Sequence, residues 1–140
     1  MHSRSLLTIV LLAIFGFLIQ VHGAPPPPPS DLLKLAGPNE GAIYYVHDRI
    51  HIKVQFKGGK NNELYNSNKK IKFIIQKRIP MPALNELVAT VKARDLYKAG
   101  EFVFEAKKEY IIDQQKSIPY RIRAAWDGGY SDSNGFYIKK

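Results

Sequence analysis

Residues 49–56 alternate without a break: Arg49, His51, Lys53 and Gln55 are polar, while Ile50, Ile52, Val54 and Phe56 are apolar. Successive side chains of a strand point to opposite faces, so this segment reads as a strand that is wet on one side and buried on the other. A strand of that kind needs a second apolar layer over it. The same period recurs downstream. Ile71, Phe73 and Ile75 mark a strand over residues 70–76; Leu87, Ala89 and Val91 repeat it more weakly. Phe102, Phe104 and Ala106 follow, then Tyr120, Ile122 and Ala124, and Phe136 with Ile138 closes the series. Shorter segments at residues 32–35 and 42–45 lead in. Turn signals separate them: Gly37-Pro38-Asn39, Gly58-Gly59, Asn61-Asn62, Gly100 and Asp127-Gly128-Gly129. Seven or so short strands with turns every dozen residues predict an all-β fold, an antiparallel β-sandwich over residues 32–140. Residues 94–98 are expected to make one helical turn at most, and the chain carries no internal repeat.

The N-terminal segment has another character. Arg4 precedes an uncharged apolar run at residues 6–19, and Val21-His22-Gly23 ends in a small residue. This pattern predicts a cleavable secretory leader over residues 1–23, with an uncleaved anchor as the alternative. The run is short for a membrane span, so no stable span is expected after cleavage. A secreted, extracellular or cell-wall-associated protein follows, which sets aside cytosolic metabolism, nucleotide signalling and transcription. Pro25 to Pro29 and Ser30 form a proline-rich spacer within residues 24–31, a polyproline II stub of ~15 Å. The chain has no cysteine, so it has neither a disulfide framework nor a thiolate metal site. Asn66-Ser67-Asn68 fails the glycosylation sequon at its third position. The polar end at Lys139 and Lys140 predicts no glycolipid anchor signal. The formal net charge is +9, and it falls by one when Arg4 leaves with the leader. Such a field favours acidic polysaccharide, anionic lipid, nucleic acid or an acidic protein. A device for solubility is the plainer reading of the same charge.

Four segments carry a family likeness: Leu35-Ala36-Gly37-Pro38-Asn39-Glu40-Gly41, Asp48-Arg49-Ile50-His51-Ile52, Tyr120-Arg121-Ile122-Arg123, and Ser131-Asp132-Ser133-Asn134-Gly135-Phe136-Tyr137-Ile138. Together they resemble the N-terminal immunoglobulin-like domain of a fungal secreted family. That family comprises yeast cell-wall β-glucan synthesis proteins and Ser/Thr-rich glycolipid-anchored membrane proteins. Pro38 and Gly41 stand at its Pro-X-X-Gly, and Ile50 and Ile52 on its alternating strand. Tyr120, Ser131, Asp132, Phe136 and Ile138 occupy its closing pattern. Tyr44 and Tyr45 stand where many members carry Trp, and Asn134 replaces a second Ser. Residues 24–140 show no Ser/Thr-rich run of the kind that forms the family's stalk, so no stalk is expected. The resemblance implies a free, secreted, non-catalytic module with an immunoglobulin-like sandwich of about seven strands.

Two candidate binding features follow. With Ile71, Phe73, Tyr120 and Ile122 inward, Lys70, Lys72, Arg121 and Arg123 face outward, and Lys139 does so on the last strand. In an immunoglobulin-like topology these strands are neighbours, so the five cations are expected on one face. Like charges opposite one another cost stability, which a partner or interleaved carboxylates would relieve. An ordinary solvated face, partly neutralised by Glu105, is the plainer alternative. The second feature is Trp126, the only tryptophan, and Tyr130 beside Asp127-Gly128-Gly129. On a loop they would stack on sugar rings; otherwise Trp126 caps the end of the core.

Other chemistries fit poorly. Asp127, Asp132 and Asn134 form only a fragment of a Ca²⁺ loop, because no bidentate Glu follows. His47 and His51 lie about 13 Å apart at strand spacing, too far to share a metal, and Glu101 and Glu105 have the same separation. No hydrolase elbow and no phosphate-binding glycine loop occur. The sequence therefore predicts a monomeric, non-enzymatic interaction module with no cofactor and no metal. Its expected partner is a polysaccharide or another anionic surface component, and nucleic acid is not expected. An effector-like protein that binds a protein partner is the alternative. A membrane-active cation is the weakest reading, since no basic amphipathic helix is visible.

Overall fold

The computed structural model describes residues 27–77, 84–112 and 117–140. The leader over residues 1–23 lies outside the described residues. In chain order the strands are β1 (Leu33–Leu35), β2 (Ala42–Tyr45), β3 (Arg49–Phe56), β4 (Lys70–Lys77), β5 (Leu84–Lys92), β6 (Glu101–Glu105), β7 (Tyr120–Trp126), β8 (Gly129–Asp132) and β9 (Phe136–Lys139). Two short helices are α1 (Glu63–Asn66) and α2 (Ala93–Ala99). The strands form two sheets packed as an all-β sandwich. One has the order β1-β3-β6; the other runs β2-β9-β7-β4-β5, with β8 paired to β7. The paired strands are antiparallel except β2 and β9, which run parallel.

The alternation builds the core as expected. Ile50, Ile52 and Val54 of β3 and Phe102 and Phe104 of β6 face Ile71, Phe73 and Ile75 of β4 and Ile122 and Ala124 of β7, all of them buried. The two layers meet at Phe73 and Phe102, whose rings stack with centroids 3.9 Å apart and planes 7° apart. Phe104 extends the stack, 5.9 Å from Phe102.

In β5 the expected alternation breaks. Phe73 pairs with Ala89 but Ile74 pairs with Leu87, a β-bulge that leaves Val88 without a register partner on β4. A bulge changes parity. Ala89 and Val91 keep their inward side, while Leu87 turns outward and is 58% exposed, which corrects its expected core position.

Two helices close one end of the sandwich. Asn62 is buried and satisfied: its Oδ1 accepts the Leu64 N–H at 2.8 Å, and its Nδ2 donates to the Leu32 and Lys57 carbonyls at 2.7 and 3.0 Å. One side chain thus caps α1 and ties it to both β1 and the end of β3. α2 is longer than the single turn expected from sequence. Ala93 and Leu96 are buried, and the Tyr97 ring meets Phe56 and Tyr65 edge to face, so tertiary packing extends a helix too short to stand alone. Gly100 ends α2 at φ 75°, its N–H donating to the Leu96 carbonyl.

At the other end, the Tyr120 hydroxyl donates to the Tyr110 carbonyl at 2.8 Å and anchors the segment before β7. The end of the proline run is docked onto the sheet. Tyr130 N–H donates to the Pro28 carbonyl at 3.3 Å, and Ser30 N–H to the Tyr130 carbonyl at 2.8 Å.

The Phe73–Phe102 stack sets a stability test. Phe102→Ala is expected to cost about 3–5 kcal/mol, whereas Val103→Ala, on the outer side of the same strand, should change stability by less than ~0.5 kcal/mol. Urea unfolding followed by tryptophan fluorescence measures both.

Candidate binding surface

Strand register sets out the outer face of the larger sheet as rows. One row holds Asn85, Gln76 and Arg121; the next holds Leu87, Ile74, Arg123 and Asp132. A third holds Thr90, Lys72, Ala125 and Tyr130, and a fourth sets Lys92 opposite Lys70. Lys70, Lys72, Arg121 and Arg123 therefore do share one face. Lys139 of β9 is on the outer side of the same sheet but opposite Tyr45 of β2. Tyr120 pairs with Phe136, so Lys139 falls about four residues, or ~13 Å, along the strand direction from Arg121. It is separate from the other four.

The two arginines differ from the lysines. Asp132 receives Arg123 Nε at 2.8 Å and Nη2 at 3.0 Å, and Arg121 Nη1 at 3.3 Å. Arg121 Nε donates to Gln76 Oε1 at 2.9 Å, and Gln76 Nε2 donates to Asn85 Oδ1 at 2.9 Å. The Arg123 guanidinium also lies over the Tyr130 ring, 3.9 Å from its centre. A single polar network thus crosses β5, β4, β7 and β8. Hydrogen bonding to Asp132 raises the Arg123 pKa further, against an opposing effect of burial. Two guanidinium groups thus share the Asp132 carboxylate. Glu105, expected to neutralise this face, lies on β6 in the other sheet and bonds His47 at 2.8 Å.

Lys70, Lys72 and Lys92 are exposed, and among the described residues none of them makes an ion pair. Lys92 was not among the expected site residues. Its signal was present in the outward parity that follows from placing Val91 inward.

Trp126 requires a correction. It is the last residue of β7, has the same parity as Tyr120, Ile122 and Ala124, and is only 7% exposed. A Cβ on Gly129 would lie 3.2 Å from its ring and 2.9 Å from Ser30, so the indole is held under the hairpin. It caps the core and presents no ring to a sugar. The expected aromatic loop is a tight hairpin in which Asp127 and Gly128 alone make the turn. Asp-Gly between two strands is the sequence signal for that turn. Tyr130 lies on β8, in the same row as Lys72.

The other candidates remain apart. His51 bonds Glu101 at 3.2 Å while His47 bonds Glu105, two exposed pairs on the smaller sheet. Among the described residues no group of three or more His, Asp or Glu is placed to hold a metal ion. No helix among them is long and apolar enough to cross a membrane. Compared with known proteins, the chain matches no family model and no curated protein sequence.

Asp132 is the hinge of the network. Asp132→Asn keeps its size, removes its charge and leaves two half-buried guanidinium groups facing each other. A loss of about 1–3 kcal/mol is expected on unfolding. Asp127→Asn in the exposed turn should be close to neutral, because Asn-Gly suits the same turn.

Proposed function

We propose that this chain is a secreted, non-enzymatic immunoglobulin-like module that binds an acidic polysaccharide at a cell wall or host surface. The binding face is the outer side of the larger sheet, centred on Lys70, Lys72 and Lys92 and bordered by Arg123 and Tyr130. The observation that carries this reading is the pairing of Lys70 with Lys92, directly opposite each other and beside Lys72, with no carboxylate between them. Like charges in that register work against folding, and a polyanion laid across the strands would relieve the repulsion. The Arg123–Tyr130 pair adds a planar, partly exposed surface at the border, suited to contact with a sugar ring.

The immunoglobulin-like part of the reading is supported by two features. The strand order puts β4 and β7 side by side in the larger sheet. Tyr120, at the start of β7, bonds a backbone carbonyl ten residues upstream, as a tyrosine corner does. The sequence resemblance to fungal cell-wall domains points the same way.

A protein partner is the second reading. Ile43 and Tyr45 on β2 are 50% and 54% exposed, an apolar strip on an edge strand of the larger sheet. Such a strip suits a protein surface better than a polyanion.

The distinguishing experiment is sedimentation of the protein with an insoluble acidic polysaccharide, β-glucan or chitin at ~0.15 M and ~1 M salt. Binding to the acidic polymer alone, lost at high salt, is expected because the screening length falls from about 8 to about 3 Å. Lys70→Glu should weaken that binding while gaining ~0.2–1 kcal/mol of stability, since it sets a carboxylate opposite Lys92. Salt-resistant binding to neutral glucan would move the site to Tyr130. No binding to any polymer would favour the protein partner.

A further inference from the structure

The end of the sandwich below Tyr120 holds a buried cation that, among the described residues, makes no ion pair. Lys77 is the last residue of β4 and shares the inward parity of Ile71, Phe73 and Ile75. It pairs with Tyr120 on β7 and Leu84 on β5 and is only 2% exposed. Among the described residues its ammonium makes no hydrogen bond or ion pair; its Nζ stands 4.5 Å from the centre of the Tyr120 ring. Burial lowers its pKa. An ammonium taken from water without a partner is costly, and folds retain one chiefly where something else completes it.

A cavity of about 340 Å³ lies beside it. Ile111, Ile112, Ile138 and the Tyr120 ring supply apolar walls, and the exposed Lys139 and Lys140 complete the lining with Lys77. No Asp or Glu side chain is among its described lining residues. The Tyr120 hydroxyl is already engaged with the Tyr110 carbonyl, so Tyr120 offers the cavity its ring face. The described lining is thus cationic at the buried Lys77 and at the exposed Lys139 and Lys140, and apolar elsewhere, the arrangement of a pocket that orients an apolar ligand by its polar group.

We propose that this cavity binds a small amphipathic carboxylate, with the carboxylate on Lys77 and an aliphatic body against Ile111, Ile112 and Ile138. At ~30 Å³ per methylene-sized group the space suits a chain of about ten carbons. The site is independent of the lysine face on the outer side of the sheet.

The test is calorimetric titration of the protein with sodium decanoate and with decanol, below their aggregation limits. Saturable one-to-one binding of decanoate is expected, with decanol at least about tenfold weaker. Lys77→Met should abolish that preference while leaving the melting temperature equal or higher, because it removes an unpaired buried charge. Lys77→Arg should retain the preference, and Lys70→Glu should leave decanoate binding unchanged. Equal affinity for decanoate and decanol would overturn the proposal, and that comparison needs no variant. So would unaltered decanoate binding by a folded Lys77→Met protein, loss of binding in Lys70→Glu, or no saturable binding up to millimolar ligand.

Discussion

The sandwich depends on the parallel stack of Phe73 and Phe102, where a ring from each sheet packs face to face. Each ring belongs to a different layer and neither layer covers its own apolar face. Without cysteine, the chain has no covalent substitute for that contact. Everything else in the fold is arranged around keeping the layers in this register. Ile50 and Ile52 flank the stack on one side, and Ile71, Ile75 and Ile122 on the other. Both ends of the sandwich are closed by single polar groups that reach backbone carbonyls: Asn62 near β1 and β3, and the Tyr120 hydroxyl near β7.

The binding surface is the reverse side of that core. Because the period is two, each inward Ile or Phe on β4 and β7 obliges the next side chain to face solvent. On β7 two of those outward positions are Arg121 and Arg123, and the fold supplies Asp132 from β8 to hold both. On β4 and β5 the outward positions include Lys70, Lys72 and Lys92, and among the described residues none of the three makes an ion pair. The same face therefore has an arginine half tied together by Asp132 and a lysine half. The Arg123 guanidinium, packed on Tyr130, borders exposed lysines, which is a sensible division between positioning and attraction.

Two buried polar groups stand in contrast. Asn62 has three hydrogen bonds and organises the chain around it. Lys77 has an aromatic ring and a cavity. The first is what structural burial of a polar group looks like, since every desolvated atom has recovered a partner. The second leaves a desolvated charge incomplete, and a cavity beside it is where completion has room to occur.

The alternation of Ile50, Ile52 and Val54 and its repeats determined by themselves that the chain forms strands, which residues are buried, and that two layers must pack. Local periodicity carries that information because side-chain direction along a strand is a property of the backbone alone. Once the strands are known to reach them, parity also points Trp126 inward and Lys92 outward, and the Asp127-Gly128 pair marks the hairpin. What only the tertiary structure decided is which strands are neighbours, because pairing joins residues distant in sequence. That is why Asp132 reaches Arg121 and Arg123 while Glu105 sits on the other sheet, and why Leu87 faces outward past a bulge. It is also why Lys77, outwardly an ordinary strand-end lysine, ends as a buried charge: its surroundings come from Ile111, Tyr120 and Ile138, brought to it by the closing of the sandwich.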